Sequence, residues 1–250
     1  VVTGGSNGLG LEFIKLLVKD AFRVYSYDIS DPSDEIRNEF GDSVNWIKKD
    51  LSIQGVSEEI FSEIGEEPID VLINNAGFGT FGKFSDQEWP KQQAMINLHV
   101  LTTAHLTHLS VQGMIKRGKG RIMNLASVAA YQPGPLMSQY YATKAYVMSF
   151  TEALANELKG TGVTATVLCP GQTQTNFQQT VSASSRETKM SFNIASAPEV
   201  AQKGYDAMMA GKVNVIPGAF NNFLAFLNRI LPRKTATNIV RNLQEKNREE

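Results

Sequence analysis

A single cysteine, Cys169, stands in a chain of 250 residues. That scarcity excludes a disulfide framework and any thiolate metal cluster, and it fits a reducing compartment, so a cytoplasmic location is expected. Histidine is nearly as rare: His99, His105 and His108 all lie within NLHVLTTAHLTHL. His105 and His108 are spaced to share a helix face, but the stretch holds no carboxylate. A solvated or packed helix is expected there, and no metal site. An excess of either charge is missing too. The 24 Lys and Arg nearly balance the 25 Asp and Glu, for a net charge of −1, which gives no support for a nucleic-acid partner. No apolar run reaches the length of a transmembrane span, and no signal peptide is visible. The chain opens almost inside its first strand, so native residues ahead of Val1 are expected to be missing from it.

What is present is alternation. FRVYSY (22–27), SVNWIK (43–48), DVLINN (70–75), GRIMNL (120–125), GVTATVLC (162–169) and KVNVIP (212–217) read as strands. Helical patterns fall between them, near 32–40, 54–64, 86–117, 140–159 and 197–210. Hydrophobic residues make up 42% of the chain, enough for one large core, and no linker or repeat divides it. The predicted fold is α/β: a Rossmann-type, doubly wound parallel sheet with helices on both faces, in a single domain. Ligands of such sheets bind beyond the C-terminal strand ends, where the winding reverses.

The first such end carries VVTGGSNGLG, followed by the amphipathic LEFIKLLVK. Strand, glycine-rich turn and helix in that order aim backbone N–H groups at an anion on the helix N-terminus. Gly4, Gly8 and Gly10 keep side chains out of the turn, so that a diphosphate can approach. Asp28 ends the second strand, 18 positions after Gly10. A carboxylate there can accept hydrogen bonds from an adenosine ribose and would repel a 2′-phosphate, which favours NAD(H) over NADP(H). Tyr140 and Lys144 stand at i and i+4 on one helix face. An ammonium beside a phenol is expected to lower the phenol's pKa toward the range useful for acid/base catalysis. Tyr141 competes for the role, but its i+4 neighbour is Ala145. Ser127, at the end of the GRIMNL strand, supplies a hydroxyl able to hold a carbonyl oxygen.

Thr3-Gly4-x-x-x-Gly8-x-Gly10, Asn74-Asn75-Ala76-Gly77, Ser127, Tyr140-x-x-x-Lys144 and Pro170-Gly171 together resemble the motifs of the classical short-chain dehydrogenase/reductases, in order and spacing. The resemblance runs from residue 1 to about 217. It implies a catalytic tetrad of Asn97, Ser127, Tyr140 and Lys144, in which Asn97 disrupts helix hydrogen bonding and holds a proton-relay water. It also implies that the dinucleotide is bound by the turn residues Gly4, Ser6, Asn7, Gly8, Leu9 and Gly10. Asp28 and Ile29 follow at the ribose, Asp50 and Leu51 at the adenine, and Asn75, Ala76 and Gly77 along the adenosine ribose. Tyr140, Lys144, Pro170, Gly171, Thr173 and Thr175 complete the contacts around the nicotinamide. Thr173 stands where the family more usually has an apolar residue, which leaves the carboxamide contacts open.

The resemblance implies hydride exchange between NAD(H) and a secondary alcohol or ketone of small-molecule size, in a homodimer or homotetramer. An NADPH-dependent carbonyl or 3-oxoacyl reductase, and a dinucleotide-sensing protein without turnover, are the alternatives. Two segments depart from the pattern. Residues 172–197 are long and polar, and are expected to form either a lid over the site or a variable surface loop. Residues 218–250 form a helical extension in which Phe220, Phe223, Leu224, Leu227 and Leu231 make an apolar stripe before a basic tail; packing against the domain is expected, with a membrane surface, a roof over the substrate cleft and a contact between subunits as the alternatives.

Overall fold

The computed structural model describes residues 1–174 and 195–246. Its strands are β1 (Val2–Thr3), β2 (Val24–Asp28), β3 (Val44–Lys48), β4 (Val71–Asn74), β5 (Gly120–Leu125), β6 (Val163–Leu168), β7 (Thr173–Gln174), β8 (Ala195–Ser196) and β9 (Asn214–Val215). The helices are α1 (Gly8–Lys19), α2 (Asp34–Phe40), α3 (Val56–Ile64), α4 (Trp89–Ile96), α5 (Thr103–Arg117), α6 (Ser138–Glu157), α7 (Ala197–Met209), α8 (Ala219–Ile230) and α9 (Arg233–Lys246).

Seven strands form one parallel sheet in the order β3-β2-β1-β4-β5-β6-β9, while β7 and β8 pair separately. The chain winds outward from β1 to β3, then returns and winds the other way from β4. A crevice therefore opens where β1 and β4 end side by side. Both faces of the sheet are apolar and covered, as parallel sheets require. Phe13, Ile14 and Leu17 of α1 pack with Val200 and Tyr205 of α7 on one face. Ile60 of α3 and Leu106 and Met114 of α5 pack on the other.

Polar links fix the strand ends. Asn75 Nδ2 donates to the carbonyls of Thr3 (2.9 Å) and Gly4 (2.8 Å), tying the end of β4 to the glycine turn. Deeper in, Asn74 Nδ2 donates to Asn124 Oδ1, and Asn124 Nδ2 donates to Thr151 Oγ1 of α6. These bonds run between buried side chains and tie β4, β5 and α6 together, with Asn74 Oδ1 left without a partner among the described residues.

The structure corrects three expectations. The helix expected over 86–117 is interrupted: α4 and α5 are joined by a π-helical turn at Asn97–Thr102. Extra-wide turns of this kind rotate the following residues away from the 3.6-residue pattern. The strand expected over 212–217 contracts to Asn214–Val215. The apolar stripe of the extension does not pack inward. Ala225 is the buried residue of α8, whereas Phe220, Phe223 and Leu224 are exposed. Of its polar residues, Asn228 Nδ2 donates to Gln132 and ties α8 to the domain, while Asn221 Nδ2 donates to the Pro217 carbonyl just ahead of the helix.

Candidate active site

A cavity of about 620 Å³ lies across the ends of β1, β4 and β5, lined by the glycine turn at one end and by Ser127, Tyr140 and Lys144 at the other. The turn is closed by backbone. Gly4 has φ +69°, and a Cβ on Gly10 would sit 1.9 Å from the Gly4 carbonyl oxygen. Only glycine at position 10 lets α1 start this close to β1. Asn7 caps α1 with extended backbone and no side-chain bond to the helix, and the first turn carries no acid. The helix thus presents its N–H groups and dipole to an anion, and a diphosphate fits this donor set.

Asp28 does two jobs. Its Oδ2 accepts from the Ser6 N–H at 2.9 Å and its Oδ1 from the Ser30 N–H at 3.2 Å, so the carboxylate itself braces the turn. It also lines the cavity beside Asn7, Leu9, Ile29 and Asp50. Among the described residues that line it, Lys144 at the opposite end is the sole Lys or Arg. Asp50 Oδ1 holds the Ser52 N–H (2.9 Å) and hydroxyl (2.7 Å), which shapes the adenine-side loop.

Tyr140 and Lys144 emerge from the start of α6 on one face, with the Lys144 Nζ 5.8 Å from the centre of the Tyr140 ring. Tyr140 is hydrogen-bonded to the Ser127 hydroxyl. Ser127 Oγ in turn accepts from the Ala129 N–H at 3.1 Å and donates to the Pro170 carbonyl at 3.4 Å. The expected lowering of the Tyr140 pKa is not found. Burial pushes the phenol well above its ordinary value of 10, only partly opposed by the bond from Ser127. Lys144 Nζ donates to the Leu125 carbonyl at 2.8 Å, and its own burial lowers its pKa to about 8. Burial thus dominates the phenol's ionisation.

Asn97 begins the π turn, where the resemblance implied a break in helix hydrogen bonding. Its Nδ2 donates to the Ser52 carbonyl at 2.9 Å, and Thr102 Oγ1 donates to the Leu51 carbonyl at 2.7 Å. The π turn therefore clamps the adenine-side loop with these two residues. The side chain that it sends to the reaction end is His99, which is 1% exposed. The Phe78 N–H donates to His99 Nε2 at 3.2 Å, and His99 Nδ1 lies 2.9 Å from Thr143 Oγ1. Thr143 Oγ1 donates to the Tyr140 carbonyl at 2.9 Å. With the Thr143 proton committed there and Nε2 accepting, Nδ1 must carry the imidazole proton. Burial and then the Lys144 charge hold the His99 pKa well below 6.5, so the ring is neutral. A Cβ on Gly77 would lie 2.8 Å from His99 Nε2 and 3.5 Å from Lys144 Nζ, so both groups converge there.

Of the remaining expected residues, Ala76, Gly77, Pro170, Gly171 and Thr173 line the cavity. Leu51 is buried and Ile29 is exposed. Thr175 and nearly all of the expected lid fall outside the described residues. Sequence reasoning missed His99, Thr143 and Gln244. Gln244 Nε2, on α9, donates to the Tyr141 hydroxyl at 3.1 Å and roofs the cavity. Nor did it foresee that Glu58 of α3 comes within 3.5 Å of His105.

One crevice thus holds a glycine turn at a helix N-terminus, the Asp28 carboxylate and a Ser127–Tyr140–Lys144 cluster. The family model for short chain dehydrogenases matches residues 1–186, and the chain belongs to that family. It is 31% identical over 179 residues to the ketoacyl reductase HetN of Nostoc sp., covering 68% of this chain and 62% of that protein. It is 30% identical over 179 residues to the very-long-chain 3-oxoacyl-CoA reductase of Rattus norvegicus, covering 65% of this chain and 55% of that one. The match thus spans roughly three fifths of these curated relatives. A solved 7β-hydroxysteroid dehydrogenase shares the fold, with a TM-score of 0.83 at 23% identity over 96% of this chain and 95% of its own.

Proposed function

We propose that the protein is an NAD(H)-dependent oxidoreductase interconverting a secondary alcohol and a ketone. The observation that carries this reading is the Ser127–Tyr140 hydrogen bond at the cavity end that also holds Lys144. Tyr140 gives its proton to the carbonyl oxygen during reduction and recovers it during oxidation, while the Ser127 hydroxyl holds that oxygen in place. Lys144 places a positive charge beside the forming alkoxide and reaches for the nicotinamide ribose. His99 acts through other groups: it ties the Gly77–Phe78 backbone to α6, which carries Tyr140. The glycine turn holds the diphosphate and Asp28 the adenosine ribose. When bound, the dinucleotide supplies or accepts the hydride. A buried Tyr140 with a raised pKa is protonated at neutral pH, which suits reduction. Oxidation needs that proton removed, so its rate should climb with pH into the alkaline range.

The preference for NAD(H) rests on Asp28 and Asp50, with no Lys or Arg among the described residues lining that end. Two carboxylates there repel a 2′-phosphate. NADH is expected to quench protein fluorescence at lower concentration than NADPH, and Asp28→Ala to narrow the gap. Because Asp28 also braces Ser6, the variant should weaken NADH binding as well. Equal or tighter NADPH binding by the native chain would overturn the preference. A screen of ketones and alcohols with both cofactors tests the activity itself. Oxidised or reduced cofactor turning over with none of them would leave the sensing role as the better reading.

Pairing of two copies through α5 and α6 is also proposed. It is supported by exposed Leu101 and Ile115 and by Tyr146, stacked on Phe150. Light scattering should give a dimer mass or larger at micromolar concentration, and a monomer mass would refute it.

A further inference from the structure

Helix α8 is inside out. Its buried residue, Ala225, lies on the side opposite Phe220, Phe223, Leu227 and Ile230, by the roughly 100° advance per residue. Phe223, Phe226 and Ile230 are 57%, 59% and 65% exposed, and Ile239 and Leu243 of α9 add 45% and 54%. Scattered apolar residues on a surface need no explanation, but a contiguous aromatic helix face does. At 12 residues the helix is too short to span a bilayer, and no described helix is long and apolar enough to do so.

Charge decides what covers the face. Residues 219–250 hold six Lys and Arg against three Glu. This segment is therefore +3 in a chain of net −1, and residues 1–218 carry −4. Arg233 and Lys234 are exposed at the start of α9, next to the apolar end of α8. A symmetric pair of copies meeting on α8 would set +3 against +3. A contact of α8 with the acidic remainder of another copy would be head-to-tail and would not close at two subunits. An anionic lipid surface meets both the apolar face and the cations, and it repels the acidic remainder.

We infer that α8 and the start of α9 dock this protein in-plane on an anionic membrane surface, with Phe223, Phe226 and Ile230 inserted at the headgroup boundary and Arg233 and Lys234 on the lipid phosphates. The inference does not depend on the catalytic reading. Its test is flotation of the full chain with phosphatidylcholine vesicles, with and without phosphatidylglycerol. The protein should float with the anionic vesicles only, and high salt should weaken the association. Arg233→Glu with Lys234→Glu should lower partitioning at least about tenfold. Phe223→Ser with Phe226→Ser should abolish it with the circular dichroism spectrum unchanged. Failure to float with anionic vesicles, equal flotation of the Ser variant, or equal binding to neutral vesicles would overturn the inference. So would a halving of the solution mass by the Ser substitutions, which would make this face a contact between copies.

Discussion

Tyr140→Phe is expected to lower turnover about 10²–10⁴-fold, the usual contribution of a positioned acid/base, with NADH affinity largely kept. The substitution removes one oxygen and keeps the ring, which sits 6.0 Å from His99 and 6.1 Å from Tyr141 between ring centres. Packing at the start of α6 should therefore survive. What disappears is the transferable proton and the bond with Ser127. Tyr141→Phe is the matched control. It deletes a hydroxyl of the same chemistry whose partner is Gln244, so only a roof contact worth about 1 kcal/mol is lost. Substantial activity should remain. Stopped-flow reduction of a ketone found in the screen, with NADH binding measured separately, distinguishes the two. If Tyr141→Phe were the inactive variant, or Tyr140→Phe turned over normally, the assignment of the acid/base would be wrong.

Much of the frame was legible because parallel sheets write themselves as apolar runs. Val71–Asn74 and Val163–Leu168 fall inside the segments read from hydrophobicity, since both faces of each strand are buried. The glycine turn was legible because backbone crowding leaves position 10 no alternative. The outward face of α8 was not. An aromatic stripe at helical spacing has one pattern whether it meets a core or a lipid, and the choice rests on what Asn228 grips. The short β7–β8 pair escaped too, because two-residue strands carry no periodicity.

That His99 went unforeseen has a specific cause. Reading 86–117 as one regular helix assigns faces by 3.6-residue arithmetic, and a π turn at 97–102 breaks that arithmetic where the site begins. The π turn begins at Asn97, whose amide is held by the Ser52 carbonyl. The stretch holding His99 reads as a solvated or packed helix, and neither alternative says what the imidazole bonds. The signal available was Thr143, one residue before Lys144, a hydroxyl on α6 able to receive an imidazole proton from α5's approach.

His99→Leu is accordingly expected to lower kcat/KM on the order of 10²-fold, the scale set by small misplacements at a reacting centre. Leucine fills much of the ring's volume but leaves the Phe78 N–H without an acceptor and Thr143 without its donor. Such buried losses cost about 1–3 kcal/mol each, and here they free the Gly77–Phe78 backbone from the helix that carries Tyr140 and Lys144. His99→Gln supplies one neutral acceptor and one donor, and should recover most of the activity. A merely space-filling residue would give the opposite ranking, with Leu nearer to native. The pH dependence separates the two further. His99 is neutral in the fold with its pKa held well below 6.5, so below 6.5 the unfolded chain binds a proton that the folded chain refuses. Stability is lost as pH falls from 6.5 toward the folded value. A proton on Nε2 would also face the Phe78 N–H and the Lys144 charge. His99→Gln removes this slope: native protein and variant should converge in denaturant midpoint as the pH drops from 7 to 5 (about the span over which an ordinary imidazole titrates). Parallel curves for the two proteins would mean that His99 is not the buried neutral strut that joins the cofactor wall to the catalytic helix.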